Sequence, residues 1–212
     1  MCAVNRGVLG TQTGSMGGIT ASNWKGRNVY KQKVPARNSS QTPAQLAQRR
    51  KFAALSRLSR LLGPAIRIGY RVAASTVTEQ NVFFSANRDA VQDNGIATTV
   101  SYNSLEVSQG TVAPVRNLSV VYTAANGGLV WSWVSDPNGV DALLTDQLHI
   151  VILNKTTGYT EMLAVTDTRA ETGHSVAIQT NMNPADLVAI AFFKRASNTS
   201  TSPSVNVQVV AG

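Results

Sequence analysis

The rhythm of hydrophobic and polar positions changes twice along this 212-residue chain. In the first stretch large apolar residues are few, and Gly7, Gly10, Gly14, Gly17 and Gly18 punctuate it, so extended or loop-like backbone is expected there. Trp24-Lys25-Gly26-Arg27 leads into Asn28–Val34, where a period of two puts Arg27, Lys31 and Lys33 on one face with Val29. A helical period follows. Thr42-Pro43 supplies an N-cap and a proline for the first helical position, and Gly63-Pro64 supplies a stop, which predicts a helix near 43–62. At 100° per residue, Arg49, Arg50, Arg57 and Arg60 fall within about 100° of one another, opposite Ala47, Phe52, Ala54, Leu55, Leu58, Leu61 and Leu62. From Val72 onward no helical period of useful length is apparent. Short β-branched runs bounded by Gly, Asn, Asp, Pro and Ser take over.

Those runs predict an antiparallel, mainly β domain. Asn117–Ala124 and Leu129–Val134 read as a hairpin closed at Asn126-Gly127, and Leu148–Leu153 as a central strand apolar on both faces. Asn154–Gly158 turns that strand into Tyr159–Val165, and Ser175–Gln179, Leu187–Lys194 and Ser204–Val210 complete about seven strands. The scale fits a β-sandwich of immunoglobulin-like or jelly-roll type, and periodicity does not choose between them.

Charge divides the chain more sharply than hydropathy does. The first 71 residues hold thirteen Lys and Arg and no Asp or Glu, whereas the remainder holds six basic and eleven acidic residues, giving +13 and then −5. The division suggests a basic arm with an amphipathic helix over 1–71 and an all-β sandwich domain over 72–212. A segment with no internal counter-charge repels itself until something anionic neutralises it, and −5 does not offset +13 if the acidic part folds back. Nucleic-acid phosphate is the commonest such partner. The candidate contacts are Lys25, Arg27, Lys31, Lys33, Arg49, Arg50, Arg57 and Arg60, with Trp24 and Tyr30 as rings that either stack on bases or anchor packing. The apolar face of the helix has one aromatic, Phe52, so protein packing is favoured over burial in lipid.

The chain carries few residues in catalytic or metal-binding patterns. One cysteine, Cys2, builds no disulfide framework, and with two histidines it builds no zinc site. Neither G-x-x-x-x-G-K-[ST] nor G-x-G-x-x-G nor G-x-S-x-G occurs. His149 reads as a satisfied strand residue and His174 as a turn residue; Asp136, Asp141 and Asp146 recur at five-residue steps without the spacing of a calcium loop. No enzyme, cofactor, metal or small-molecule substrate is expected. The first twenty residues lack the apolar core of a secretory signal, so the Asn-x-Ser/Thr triplets at Asn38, Asn117, Asn154 and Asn198 carry no message.

The N-terminal third also carries a set of fixed spacings. Gly7-x-x-Gly10-x-x-x-Gly14-x-x-Gly17, Trp24-Lys25-Gly26, Pro35, Asn38, Ala44-Gln45-Leu46-Ala47-Gln48-Arg49, Lys51-Phe52 and Pro64-x-Ile66-Arg67-x-Gly69 resemble an uncharacterised family of Bacteroidetes proteins. Ser15 departs from that pattern, in which lysine is usual. The resemblance implies a source among Bacteroidetes or their phages and no established activity.

An acid-free basic arm joined to an all-β body is the division of labour of a virion structural protein, capsid or capsid-associated. On that expectation the arm contacts packaged nucleic acid without reading sequence, and the body makes contacts in a homo-oligomer, assembled in the host cytoplasm. The alternative is a cytoplasmic interaction module whose basic helix docks on an acidic protein or an anionic membrane.

Overall fold

The structure is a computed structural model that describes residues 10–33, 41–74, 76–123, 128–163, 167–177, 182–197 and 199–212. Cys2, Gly7, Pro35, Asn38, the Asn126-Gly127 turn, Gln179 and Asn198 lie outside the described residues, as does the predicted strand end at Val165. The chain forms two compact units, 1–42 and 43–212.

In the first unit the glycine-rich segment, from Gly14 on, takes the extended one of the two expected forms and enters a meander. Strands β1 (Gly14–Met16), β2 (Ile19–Trp24) and β3 (Arg27–Gln32) pair antiparallel in that order. The glycines make the turns: Gly17 has φ 58°, and Lys25-Gly26 has φ 49° and 78°, the two positive values a two-residue hairpin needs to follow strand twist. Most side chains of this sheet are exposed.

The second unit begins with α1 (Pro43–Leu61), α2 (Gly63–Gly69) and α3 (Glu79–Ala86). Helix α1 ends at Leu61, as the Gly63-Pro64 stop predicts, but a second helix begins at once, because proline is tolerated in the first turn of the helix that follows. The amide of Leu62 still reaches Leu58 O at 2.9 Å, and that of Ile66 reaches Leu62 O at 3.0 Å. Helix α3 is absent from the sequence reading. It spans only eight residues, too few for a hydrophobic period, and its signal is the cap: the Thr78 hydroxyl accepts from the Asn81 amide at 3.3 Å.

A small hairpin, β4 (Val91–Asp93) with β5 (Thr98–Val100), leads to the sandwich: β6 (Arg116–Thr123), β7 (Gly128–Val134), β8 (Gln147–Asn154), β9 (Thr160–Leu163), β10 (Gly173–Ala177), β11 (Leu187–Lys194), β12 (Val205–Gln208) and β13 (Val210–Ala211). One sheet runs β10-β7-β6-β13 and the other β12-β11-β8-β9. The first, second and fifth strands of the sandwich thus share one sheet, while the third, fourth, sixth and seventh share the other. That order is immunoglobulin-like and not a jelly roll. After β12 the chain crosses between sheets at buried Val209, so that β13 lies parallel to β6.

Two apolar layers explain why Leu148–Leu153 reads as apolar on both faces, and β11 beside it is buried the same way. Leu148, Ile150 and Ile152 of β8, with Leu187, Ala189 and Phe193 of β11, point between the sheets toward Val120, Leu129 and Trp131. Their alternates, Val151 and Leu153 with Val188, Ile190 and Phe192, are covered by Leu55, Leu58, Leu62, Ile66 and Phe83 from the helices. Period two sends successive side chains to opposite faces, so two buried faces require two covers. The helical segment is the second cover. It therefore groups with the sandwich and not with the basic arm, and the compact units divide at Thr42 where the charge pattern suggested Arg71.

The junction between helix and sandwich is tight at Gly69. Its carbonyl oxygen accepts from the Thr201 hydroxyl at 3.0 Å and the Gln109 amide at 3.2 Å, and its Cα faces the backbone of Val107 and Ser108.

Candidate nucleic-acid interface

Four of the eight basic residues singled out lie on the N-terminal sheet. Register pairs Trp24 with Arg27, Ser22 with Val29 and Thr20 with Lys31. Directly opposed side chains share a face, so Arg27, Val29 and Lys31 do project together, as period two predicts, and Trp24 joins them. Lys33 continues the row, and its amide bonds to Gly18 O at 2.6 Å. Lys25 sits in the turn with its Nζ 5.1 Å from the centre of the Trp24 ring, a cation–π contact. Tyr30 lies on the other face, where its hydroxyl meets Gln12 Oε1 at 3.0 Å. Among the described residues, none of Lys25, Arg27, Lys31 and Lys33 is ion-paired.

The other four lie on α1, and they do not act alike. Arg49, Arg57 and Arg60 are exposed. Arg50 is spent. Its Nε and Nη2 form a two-pronged pair with the Asp93 carboxylate at 2.8 and 2.9 Å, and Nη2 also donates to Gly95 O at 3.1 Å. These bonds raise the Arg50 pKa and, with help from the Thr98 hydroxyl and the Gly95 amide, hold the Asp93 carboxyl well below the usual carboxylate range against the pull of burial. Arg50 ties α1 to the β4–β5 hairpin, and its charge is matched there by Asp93. Its sequence position gave no hint of this, because Asp93 lies 43 residues away.

Divided where the structure divides, the charge reads differently. The first unit carries six Lys and Arg with no carboxylate, and the second carries thirteen basic against eleven acidic residues, or +6 and +2. The helical arginines belong to a nearly neutral body. The unbalanced charge is in the first unit, where Lys25, Arg27, Lys31 and Lys33 lie on or beside the sheet.

The acidic residues of the body also have work of their own. Asp146 is fully buried and meets Arg169 Nε at 3.4 Å, Arg195 Nε at 3.2 Å and the Leu143 amide at 2.9 Å. Asp136 pairs with Arg116 at 3.1 Å and with Arg169 at 3.3 Å. Arg169 is itself buried, lying 4.0 Å over the Phe193 ring and donating to Ala113 O at 2.6 Å. Asp136 and Asp146 are counter-ions to arginine. Arg169 and Arg195 went unnoticed in the sequence, since nothing local marks a cation as buried.

His149 stacks on Phe192 with ring centres 5.3 Å apart, and its buried Nε2 has no hydrogen-bond partner among the described residues, so it is not the satisfied strand residue expected. Burial, with a smaller contribution from Lys194, pushes its pKa down to about 4. His174 lies within β10, not in a turn, and its Nδ1 faces the Asp167 carboxylate. Among the described residues no three His, Cys, Asp or Glu side chains gather as a metal site. A cavity of about 410 Å³ beside α1 is walled by Ala54, Arg57, Leu58, Leu61, Tyr102 and Lys155, and neither carboxylate nor histidine lines it.

The family of unknown function DUF6266 matches residues 11–207. The chain belongs to that family. The DUF6266 match starts before β1 and ends within β12, so it takes in the basic sheet together with the helices and the sandwich. No curated protein matches. Among solved structures, the fn3 domain of human collagen alpha-1(XX) chain is similar at 13% identity and a TM-score of 0.34, over 48% of this chain and 88% of that one. An Fn3-like protein from Clostridium thermocellum is similar at 15% identity and a TM-score of 0.32, over 47% of this chain and 94% of that one. No helix among the described residues is long and apolar enough to cross a membrane.

Proposed function

We propose that this DUF6266 protein is a virion structural protein, capsid or capsid-associated, that binds nucleic-acid phosphate through its N-terminal sheet and makes subunit contacts through its sandwich. The observation that carries the reading is the acid-free sheet: Arg27, Lys31 and Lys33 in one row, exposed, on a unit with no carboxylate anywhere in its sequence. Such a surface gains affinity by releasing counter-ions from a polyanion and needs no base reading. Arg49, Arg57 and Arg60 add a second basic surface on α1, without Arg50. The competing picture is a basic helix docked on an anionic membrane or an acidic protein, and its membrane form needs the apolar face of α1 to be free. Leu55 and Leu58 are instead packed against the sandwich, which speaks against lipid burial of that face, while Arg49, Arg57 and Arg60 remain exposed on the other. Assembly in the host cytoplasm and location in the virion belong to the same proposal.

Size-exclusion chromatography with light scattering, at low and high salt, tests assembly and cargo together when absorbance is read at 260 and 280 nm. A large particle that carries nucleic acid at low salt and sheds it at high salt is the expected result. Replacing Lys31 and Lys33 by Glu abolishes the cargo, while Arg50→Lys leaves it in place. A monomer without cargo at both salts, or a chain that sediments with anionic liposomes but not with DNA or RNA, overturns the proposal.

A further inference from the structure

The basic face of the N-terminal sheet holds a ring that phosphate neutralisation does not require. Trp24 is 61% exposed, although tryptophan is ordinarily a buried anchor. It is the last residue of β2, directly opposite Arg27, and the turn that follows it has a fixed backbone, with positive φ at both Lys25 and Gly26. The ring is therefore presented from a strand end and not from a loose loop. Thr20, Ser22, Arg27 and Lys31 share its face, and Lys25 lies against the ring. Four residue steps of strand lead from Arg27 to Lys31, about 13 Å, a length that spans roughly four stacking steps of one nucleic-acid strand.

A duplex offers such a surface only phosphates and base edges, because its base faces are already stacked. An aromatic ring gains from nucleic acid when a base face is free, and every base has one, so the gain is sequence-tolerant. Resting on the phosphate-binding reading above, we infer that the Trp24–Arg27–Lys31 face binds single-stranded nucleic acid in preference to duplex. Trp24 stacks on a base, and Arg27 and Lys31 neutralise the phosphates beside it. Tyr30, on the opposite face and held to Gln12, takes no part.

The test uses the full chain with labelled oligothymidylate, oligouridylate and a DNA duplex of equal length, followed by fluorescence anisotropy at fixed salt. Wild type binds both single strands at least tenfold more tightly than duplex. Trp24→Ala loses about tenfold on single strands and little on duplex, Trp24→Phe recovers most of that loss, and Tyr30→Phe matches wild type. Duplex binding retained by Trp24→Ala reports that the sheet is intact. Tryptophan emission gives a second readout: Trp131 and Trp133 are buried in the sandwich, so quenching by a stacked base belongs to Trp24. Equal affinity for strand and duplex, or an equal loss on both in Trp24→Ala, overturns the stacking inference and leaves phosphate binding standing. No binding to any of the oligonucleotides at low salt overturns both.

Discussion

Gly69→Ala isolates the junction that holds the helices on the sandwich. A methyl group built on Gly69 lies 2.7 Å from Ser108 Cα and 2.8 Å from Ser108 Cβ, and closer still to the Val107 carbonyl oxygen. Ordinary contact between carbons begins near 3.5 Å, so α2 must retreat by about 1 Å from the Val107–Gln109 segment. A retreat of that size stretches the bonds that the Gly69 carbonyl accepts from Thr201 and Gln109, now 3.0 and 3.2 Å. Two weakened hydrogen bonds at about 1 kcal/mol each, added to an overpacking cost at the low end of about 1–3 kcal/mol, give roughly 3 kcal/mol of lost stability. For a chain of this size that is about 6–12 °C in Tm. The control is Gly63→Ala: nothing lies within 4 Å of its added methyl, so a result between no change and about 1 kcal/mol of stabilisation is expected. Urea unfolding followed by emission from the buried tryptophans reads both variants. If Gly69→Ala shares the urea midpoint of Gly63→Ala, the close approach is not what fastens the helices, and the reasoning fails.

Asp146→Asn leaves Arg169 buried without its full counter-charge and is expected to cost about 3–5 kcal/mol in urea unfolding, while added calcium leaves the wild-type Tm unchanged; a calcium-dependent rise would refute the counter-ion role. His149, with its pKa pushed down to about 4 from an unfolded value near 6.5, makes the folded state bind fewer protons than the unfolded chain in that interval. Its contribution to stability is complete above pH 6.5 and falls away as pH drops toward 4, so His149→Phe shows a shallower loss than wild type over that range; identical slopes would place the imidazole in water.

Gly69 also shows why the spacing Pro64-x-Ile66-Arg67-x-Gly69 has physical content. Pro64 opens α2, Ile66 is buried against the sheet, and Gly69 allows the closest backbone approach. The sequence presents all three residues without saying what they meet.

Local pattern was enough for whatever depends on neighbours along the chain. The β6–β7 and β8–β9 hairpins, helix α1 and the row of Arg27, Lys31 and Lys33 all follow from periods of two or 3.6 and from their end signals. The run Leu148–Leu153, apolar on both faces, belongs to β8, which is buried on both sides. What pattern did not contain is partnership across distance. Arg50 meets Asp93 and Arg169 meets Asp146 only when strands and helices are stacked, and the outer face of β8 and β11 finds its cover in a helix that precedes both by dozens of residues. Periodicity determines which side of an element is apolar. Which apolar sides face one another, and hence which charges are spent inside the fold and which stay free for a partner, is decided by packing.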